Sequence, residues 1–166
     1  MIHPTIESFI CSDVSSLMIP ADDVASVIST HTLSHGLLVL SQVKYSMIPV
    51  LSPKSQIIGL ISMPLIINAA VTIDSIDIER LDTLKISDVM RTDVKMLPLD
   101  TPFELILRDL IDHNFICVID PCQNNEFLGL ITRREILKRL NHLVHKLSTD
   151  STIIEQIEQL QHALSL

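Results

Sequence analysis

Thr132-Arg133-Arg134-Glu135 stands where a short apolar run, Phe127 to Ile131, gives way to a helical spacing of apolar residues at Ile136, Leu137 and Leu140. A strand that hands over directly to a helix leaves the first backbone N–H groups of that helix unpaired, with a partial positive charge, and so prepares a site for an anion. Two planar guanidinium groups at that point can hold phosphate oxygens bidentately. Thr132 can cap the helix with its hydroxyl or donate the hydroxyl to a phosphate. Cations in a first helical turn oppose the helix dipole, so Arg133 and Arg134 cost stability where they stand and call for a functional account. From Gly129 to Lys146 there are five basic residues and one acidic one, a local +4 inside a chain of net charge −8. Lys138, Arg139 and Lys146 are read as an ordinary solvated face.

Other chemistry has little footing. The sequence contains no GxSxG, Walker loop or HExxH, and only three glycines, so no enzymatic activity is expected. His31 with His35, and His142 with His145, have spacings that can bind a metal on a helix, but no cysteine or carboxylate completes a site nearby. They are read as solvated or packing histidines, and no metal or other cofactor is expected. Cys11, Cys117 and Cys122 form an odd, sparse set without CxxC, which suggests a reducing compartment, the cytoplasm. Cys117 and Cys122 are read as separate core and turn thiols. Arg91 and Lys95 are read as surface residues, with added charge for the binding cleft as the alternative.

The elements that position these residues come as a repeat. Ile48-Pro49-Val50-Leu51 matches Ile116-Cys117-Val118-Ile119, Pro53 matches Pro121, and Gly59-Leu60-Ile61-Ser62 matches Gly129-Leu130-Ile131-Thr132. Upstream, Asp23-Val24-Ala25 matches Asp93-Val94-Lys95. Two copies about 70 residues apart favour a pseudo-two-fold pair over an array. Each copy reads as strand, helix, strand, turn, strand, helix: about 24–28, 33–43, 47–51, 57–61 and 64–71, then about 94–98, 102–112, 115–119, 127–131 and 133–146. "SPKSQ" and "DPCQNN" are the hairpin turns, and Asp74 and Glu79 bracket a short helix in the acidic connection. The chain thus divides into an N-terminal extension (1–11), a first repeat (12–72), a linker (73–86), a second repeat (87–146) and a C-terminal helix (147–166).

Length and composition fit that division. The 166 residues are 47% hydrophobic and only 3% aromatic, enough for one compact domain or two small packed halves with an aliphatic core. Twelve basic against twenty acidic residues argue against general nucleic-acid binding. "MIHPTIESFI" lacks the features of a signal peptide, and "IIGLISMPLIINAAV" is too short to span a membrane, so no membrane role is expected.

The two "h-P/C-V-h" strands, the two "G-h-h-S/T-x-x-x-h" strand-to-helix turns and the "ISDVM" phrase before the second copy resemble a tandem CBS-domain protein, a Bateman module. The resemblance spans about residues 12 to 140. "DDVASV", "TRREILKRL" and the overall length are similar to the small stand-alone CBS proteins of Gram-positive bacteria that bind cyclic di-AMP. The resemblance implies an α/β (α+β) fold of two β-α-β-β-α repeats, a disc-like cytoplasmic homodimer, and a second-messenger sensor that docks on a target until the dinucleotide releases it. It also implies a link to the (p)ppGpp synthetase of the stringent response.

The resemblance places the nucleobase slot at Val24, Ala25 and Ser46-Met47-Ile48-Pro49, with small Ala25 admitting the backbone and Met47 or Ile48 packing on the base. The phosphates fall to Thr132, Arg133 and Arg134. Two or three such bonds plus adenine burial reach about −8 kcal/mol, micromolar binding. Glu135 takes the place of the Asp that holds ribose hydroxyls in many such motifs. It either accepts from a ribose or pairs with Arg139 at i+4. The first copy has Met63, Pro64 and Leu65 in place of this set, so one occupied site per chain is expected. Asp23 stands where similar proteins carry a basic residue. It points away, accepts from an adenine amino group or ribose, or weakens cyclic di-AMP by about 1–4 kcal/mol at 4 Å, which keeps AMP, ADP and ATP open as ligands. A ligand-independent interaction module is the alternative.

The tail carries a separate signal. Thr152 with Glu155 forms a capping box, and Ile153, Ile157, Leu160 and Leu164 form a two-heptad apolar seam. It packs on its own domain, on a dimer partner or on a docking face.

Overall fold

The computed structural model describes residues 14–43, 45–71 and 77–149. The expected repeat is present. The first copy comprises β2 (Val27–Ile28), α1 (Leu33–Gln42), β3 (Ile48–Leu51), β4 (Ile57–Ile61) and α2 (Met63–Ala70). The second comprises β5 (Met96–Pro98), α4 (Phe103–Asp112), β6 (Phe115–Asp120), β7 (Glu126–Thr132) and α5 (Arg133–Thr149). A further strand, β1 (Met18–Pro20), precedes the first copy, and α3 (Ile78–Thr83) lies between the copies.

Local chemistry sets these boundaries. Thr32, Ser62 and Asp77 cap α1, α2 and α3 by accepting from the backbone N–H three residues on. The two hairpin turns need left-handed backbone, supplied by Ser55 in the first and by Asn124 and Asn125 in the second. Helix α5 runs without a break to Thr149, across the boundary expected after 146. The tail from 150 onward, and with it the capping box and apolar seam, lies outside the described residues, as do residues 1–13 and 72–76, Asp74 among them.

Two sheets result. One has the order β2-β3-β4, and the other the order β1-β7-β6-β5. Each carries its own helices over an aliphatic core: Leu33, Ile48, Val50, Ile61 and Ile66 in the first, Phe103, Ile106, Ile116, Val118 and Ile131 in the second. A third cluster joins residues of both sheets, with Ile57 and Leu60 against Cys117, Ile119, Phe127 and Leu130. The linker is not a passive tether, because Leu81 of α3 and Ile86 are buried in the first core.

Strand pairing crosses between the copies. β1 lies antiparallel on β7, with Ile19 opposite Leu130 and Pro20 opposite Gly129, so the lead-in to the first copy belongs to the sheet of the second. The reverse exchange occurs at Arg91, which trades both backbone hydrogen bonds with Leu60 of β4, at 2.8 and 2.9 Å. Glycine makes both exchanges possible. A Cβ at Gly129 would collide with the Ile19 carbonyl oxygen, and one at Gly59 would lie 3.2 Å from the Arg91 carbonyl oxygen and against Met90. Because these lead-in segments leave their own copies, the expected strand at 24–28 shortens to Val27–Ile28, and Val24 becomes part of the inter-sheet cluster.

Candidate functional site

Three segments meet between the sheets. The exchanged lead-in brings Ile19, Val24 and Ala25. The entries to β3 and β6 bring Tyr45 to Pro49 and Asn114-Phe115, and the start of α5 brings Thr132, Arg134, Glu135 and Lys138. Together they enclose a cleft of about 590 Å³, lined by Ser46, Met47, Asn114, Phe115, Thr132, Arg134, Glu135 and Lys138 among others. Beneath it is an apolar slot of about 30 Å³ formed by Val24, Ala25, Ile48, Pro49 and Leu130 with the shared residues Ile19, Tyr45, Met47, Phe115 and Thr132. A polar, partly cationic space therefore opens onto an aliphatic recess.

Ten of the eleven sequence-predicted site residues lie at this junction or beside it. Val24, Ala25, Ile48 and Pro49 line the slot, Ser46, Arg134 and Glu135 the cleft, and Met47 and Thr132 both. Thr132 caps α5, its hydroxyl oxygen accepting from the Glu135 N–H at 3.1 Å. Asp23 is the residue left out. It is exposed at the end of a short 3-10 turn and does not line either space.

Arg133 departs from expectation. Its Nε donates to the Leu110 carbonyl at 2.8 Å, and its Nη2 donates to the carbonyls of Ile111 and His113, each at 3.1 Å. These oxygens end α4, the negative pole of that helix. The penalty of placing a cation at the start of α5 is offset by the end of α4, and the guanidinium is turned away from the cleft. Only Arg134 of the pair lines it. Arg133 and Arg134 also border a separate open groove of about 540 Å³ with Leu137, Lys138 and Asn141.

Glu135 makes the i+4 pair that the sequence allows. Its carboxylate meets Lys138 at 3.3 Å and Arg139 at 3.6 Å. Arg139 in turn donates to the Ser16 carbonyl at 2.6 Å, tying α5 to the lead-in segment. These are partly solvated pairs that position side chains more than they stabilise the fold.

A second, smaller cleft of about 220 Å³ is the pseudo-symmetric counterpart. Arg91 and Lys95 line it and add charge to it, Arg91 while remaining exposed and Lys95 half-buried, because the strand exchange at Leu60 carries that segment along its wall. Asp93, Asp112 and His113 stand with them, and Lys95 is paired to Asp109 at 2.9 Å. Ser46, Met47, Asn114 and Phe115 form a wall common to both clefts.

Sequence reasoning missed Tyr45, Asn114, Phe115 and Ile19. Asn114-Phe115 is the repeat counterpart of Ser46-Met47, so the internal symmetry carried that signal. Ile19 reaches the site only through the strand exchange, which no local pattern announces.

Elsewhere, burial pushes the Cys117 thiol up to about 12, and Cys122 is exposed. His31 and His35 meet edge to face at 4.4 Å, and among the described residues no three potential ligands are grouped as a metal would need. None of the described helices is long and apolar enough to cross a membrane.

Comparison with known proteins adds the following. Residues 86–142 match the CBS domain family model. The chain is 35% identical over 150 residues to the cyclic di-AMP receptor B of Bacillus subtilis, covering 89% of this chain and 99% of that protein. The structure of Listeria monocytogenes CbpB in complex with c-di-AMP superposes with a TM-score of 0.73 at 40% identity, covering 80% of this chain and 97% of that one. CbpB from Streptococcus agalactiae gives 0.75 at 30% identity, covering 90% and 92%.

Proposed function

The chain belongs to the CBS-domain family that includes these receptors, and from that premise we propose that it senses an adenine nucleotide, cyclic di-AMP foremost, in the cleft between its two repeats. The observation that carries the reading is the continuity of the two spaces. An aliphatic recess at Val24, Ala25, Ile48 and Pro49 opens directly onto a space lined by Thr132, Arg134 and Lys138. A base on the recess would leave its phosphate beside the Arg134 guanidinium and the start of α5, where a charge-assisted pair is favourable.

Within that reading the two arginines divide the work. Arg134 neutralises phosphate, while Arg133 anchors the start of α5 to the end of α4 and so fixes where Arg134 and Thr132 point. The Glu135 carboxylate, held by Lys138 and Arg139, is the remaining acceptor for a ribose hydroxyl. Stoichiometry is one nucleotide per chain, since the smaller cleft carries Asp93 and Asp112 on its walls and Pro64 and Leu65 follow Ser62. AMP, ADP and ATP share the adenine and phosphate chemistry and are the competing ligands.

The protein acts by binding, as a cytoplasmic homodimer that regulates a target. Exposed Ile111, Leu137 and Val144 on α4 and α5 support pairing through this face, since they are 74%, 57% and 59% accessible in the single chain. A (p)ppGpp synthetase as target rests on the family resemblance alone.

A thermal-shift and calorimetry panel of AMP, ADP, ATP and cyclic di-AMP tests the reading. Cyclic di-AMP at 100 times its dissociation constant should add about 2.7 kcal/mol of stability and saturate at one per chain. No shift with any of the four, beside stable capture of a protein partner, would leave the ligand-independent interaction module as the better account.

A further inference from the structure

The apolar recess is too small for what it is proposed to hold. At about 30 Å³ it has room for about two water molecules, and a purine is several times larger. A base seated within the recess itself must therefore displace part of the wall. The recess floor, Val24, Ile48, Pro49 and Leu130, is buried, and all but Pro49 belong to the core clusters, so moving it would disturb packing on both sheets. The residues shared by recess and cleft are the alternative: Ile19, Tyr45, Met47, Phe115 and Thr132. Four of these are half-buried, and Thr132 is committed to capping α5.

Tyr45 is different. It is 51% exposed, sits in the connection between α1 and β3 outside any regular element, and borders the 590 Å³ space into which it can turn. Building on the nucleotide reading above, we propose that Tyr45 is the movable wall of the site and that its ring swings outward to admit a purine and then stacks on the exposed face of the base. The opposite face rests on the aliphatic floor, so the base is sandwiched between a fixed apolar surface and a mobile aromatic one. Stacking of this kind tolerates any base, because every base offers a π-face. Tyr45 thus supplies affinity for a ring system and leaves choice among nucleotides to the phosphate and backbone contacts.

The composition of the chain provides a direct test. Tyr45 is its only tyrosine and there is no tryptophan, so intrinsic fluorescence reports on this residue alone. Titration with cyclic di-AMP should quench that emission saturably, with the midpoint found by calorimetry. Tyr45→Ala should weaken calorimetric binding roughly 10- to 100-fold without lowering the melting temperature of the unliganded protein. Tyr45→Phe, which keeps the ring, should recover most of that loss. If wild type binds in the calorimeter but Tyr45→Ala binds as tightly, or the emission does not change at saturation, the role of Tyr45 is overturned and the nucleotide reading stands. If wild type gives no heat with any adenine nucleotide, both are overturned.

Discussion

Replacing Arg133 and Arg134 one at a time separates two roles that the sequence presents as one. Arg134 lines the cleft, whereas Arg133 spends its guanidinium on three carbonyl oxygens at the end of α4. Arg134→Ala removes a charge-assisted bond to phosphate worth about 1.5–3 kcal/mol, which is roughly 10- to 150-fold in the dissociation constant. It leaves the fold unchanged, because the side chain is exposed. Arg133→Ala strands three acceptors that share one donor group, so their energies do not simply add, and a total of about 1.5–3 kcal/mol is expected. At about 2–4 °C per kcal/mol for a chain of this size, the melting temperature should fall by about 3–12 °C. Calorimetric titration with cyclic di-AMP and scanning calorimetry of the unliganded variants read the two effects separately. Binding lost in Arg133→Ala at an unchanged melting temperature, with wild-type affinity in Arg134→Ala, would refute the division of labour.

Gly129→Ala places a Cβ against the Ile19 carbonyl oxygen at a positive φ, and should destabilise the protein by about 2 kcal/mol or more in chemical denaturation; a neutral result would mean that β1 is not seated on β7 as described. Asp23→Asn should change affinity for cyclic di-AMP less than about fivefold, since the carboxylate is solvated and off the cleft wall; tightening beyond tenfold would place it next to the phosphate. The buried Cys117 thiol, raised to about 12, should resist alkylation at pH 8 in native protein while Cys122 reacts, as site-resolved mass spectrometry would read. Its contribution to stability is complete below the ordinary thiol pKa and is lost as pH rises from there through about 12, because only the unfolded state ionises readily. Cys117 labelling at the rate of Cys122 would contradict this.

Much of the fold was legible because its signals are local. Apolar runs bounded by Pro, Ser and Asn gave the strands, and the Gly-h-h-Ser/Thr turn aligned the two copies and placed helix starts after Ser62 and Thr132. The apolar floor of the site followed from the family resemblance and not from the repeat. What remained hidden depends on pairing between distant segments. No periodicity in Met18-Ile19-Pro20 tells which sheet it joins, so Ile19 could not be placed at the site, and nothing local shows that Arg91 pairs with Leu60. The contacts of Arg133 were hidden for a related reason. A cation at a helix start signals an anion, and the sequence does not show that the carbonyl end of a neighbouring helix also lies within its reach.

The exchange of lead-in segments also constrains how the chain can be made. Met18 to Pro20 find their partners in Gly129 to Ile131, more than a hundred positions later, so during synthesis β1 must wait until β7 has emerged. Until then the nascent first copy lacks a ladder for its own leading edge, and the late-arriving β7 presents an open edge to any other strand nearby. Long-range closure of this sort slows folding, and it means that neither copy can be excised as an autonomous module without exposing a sticky border.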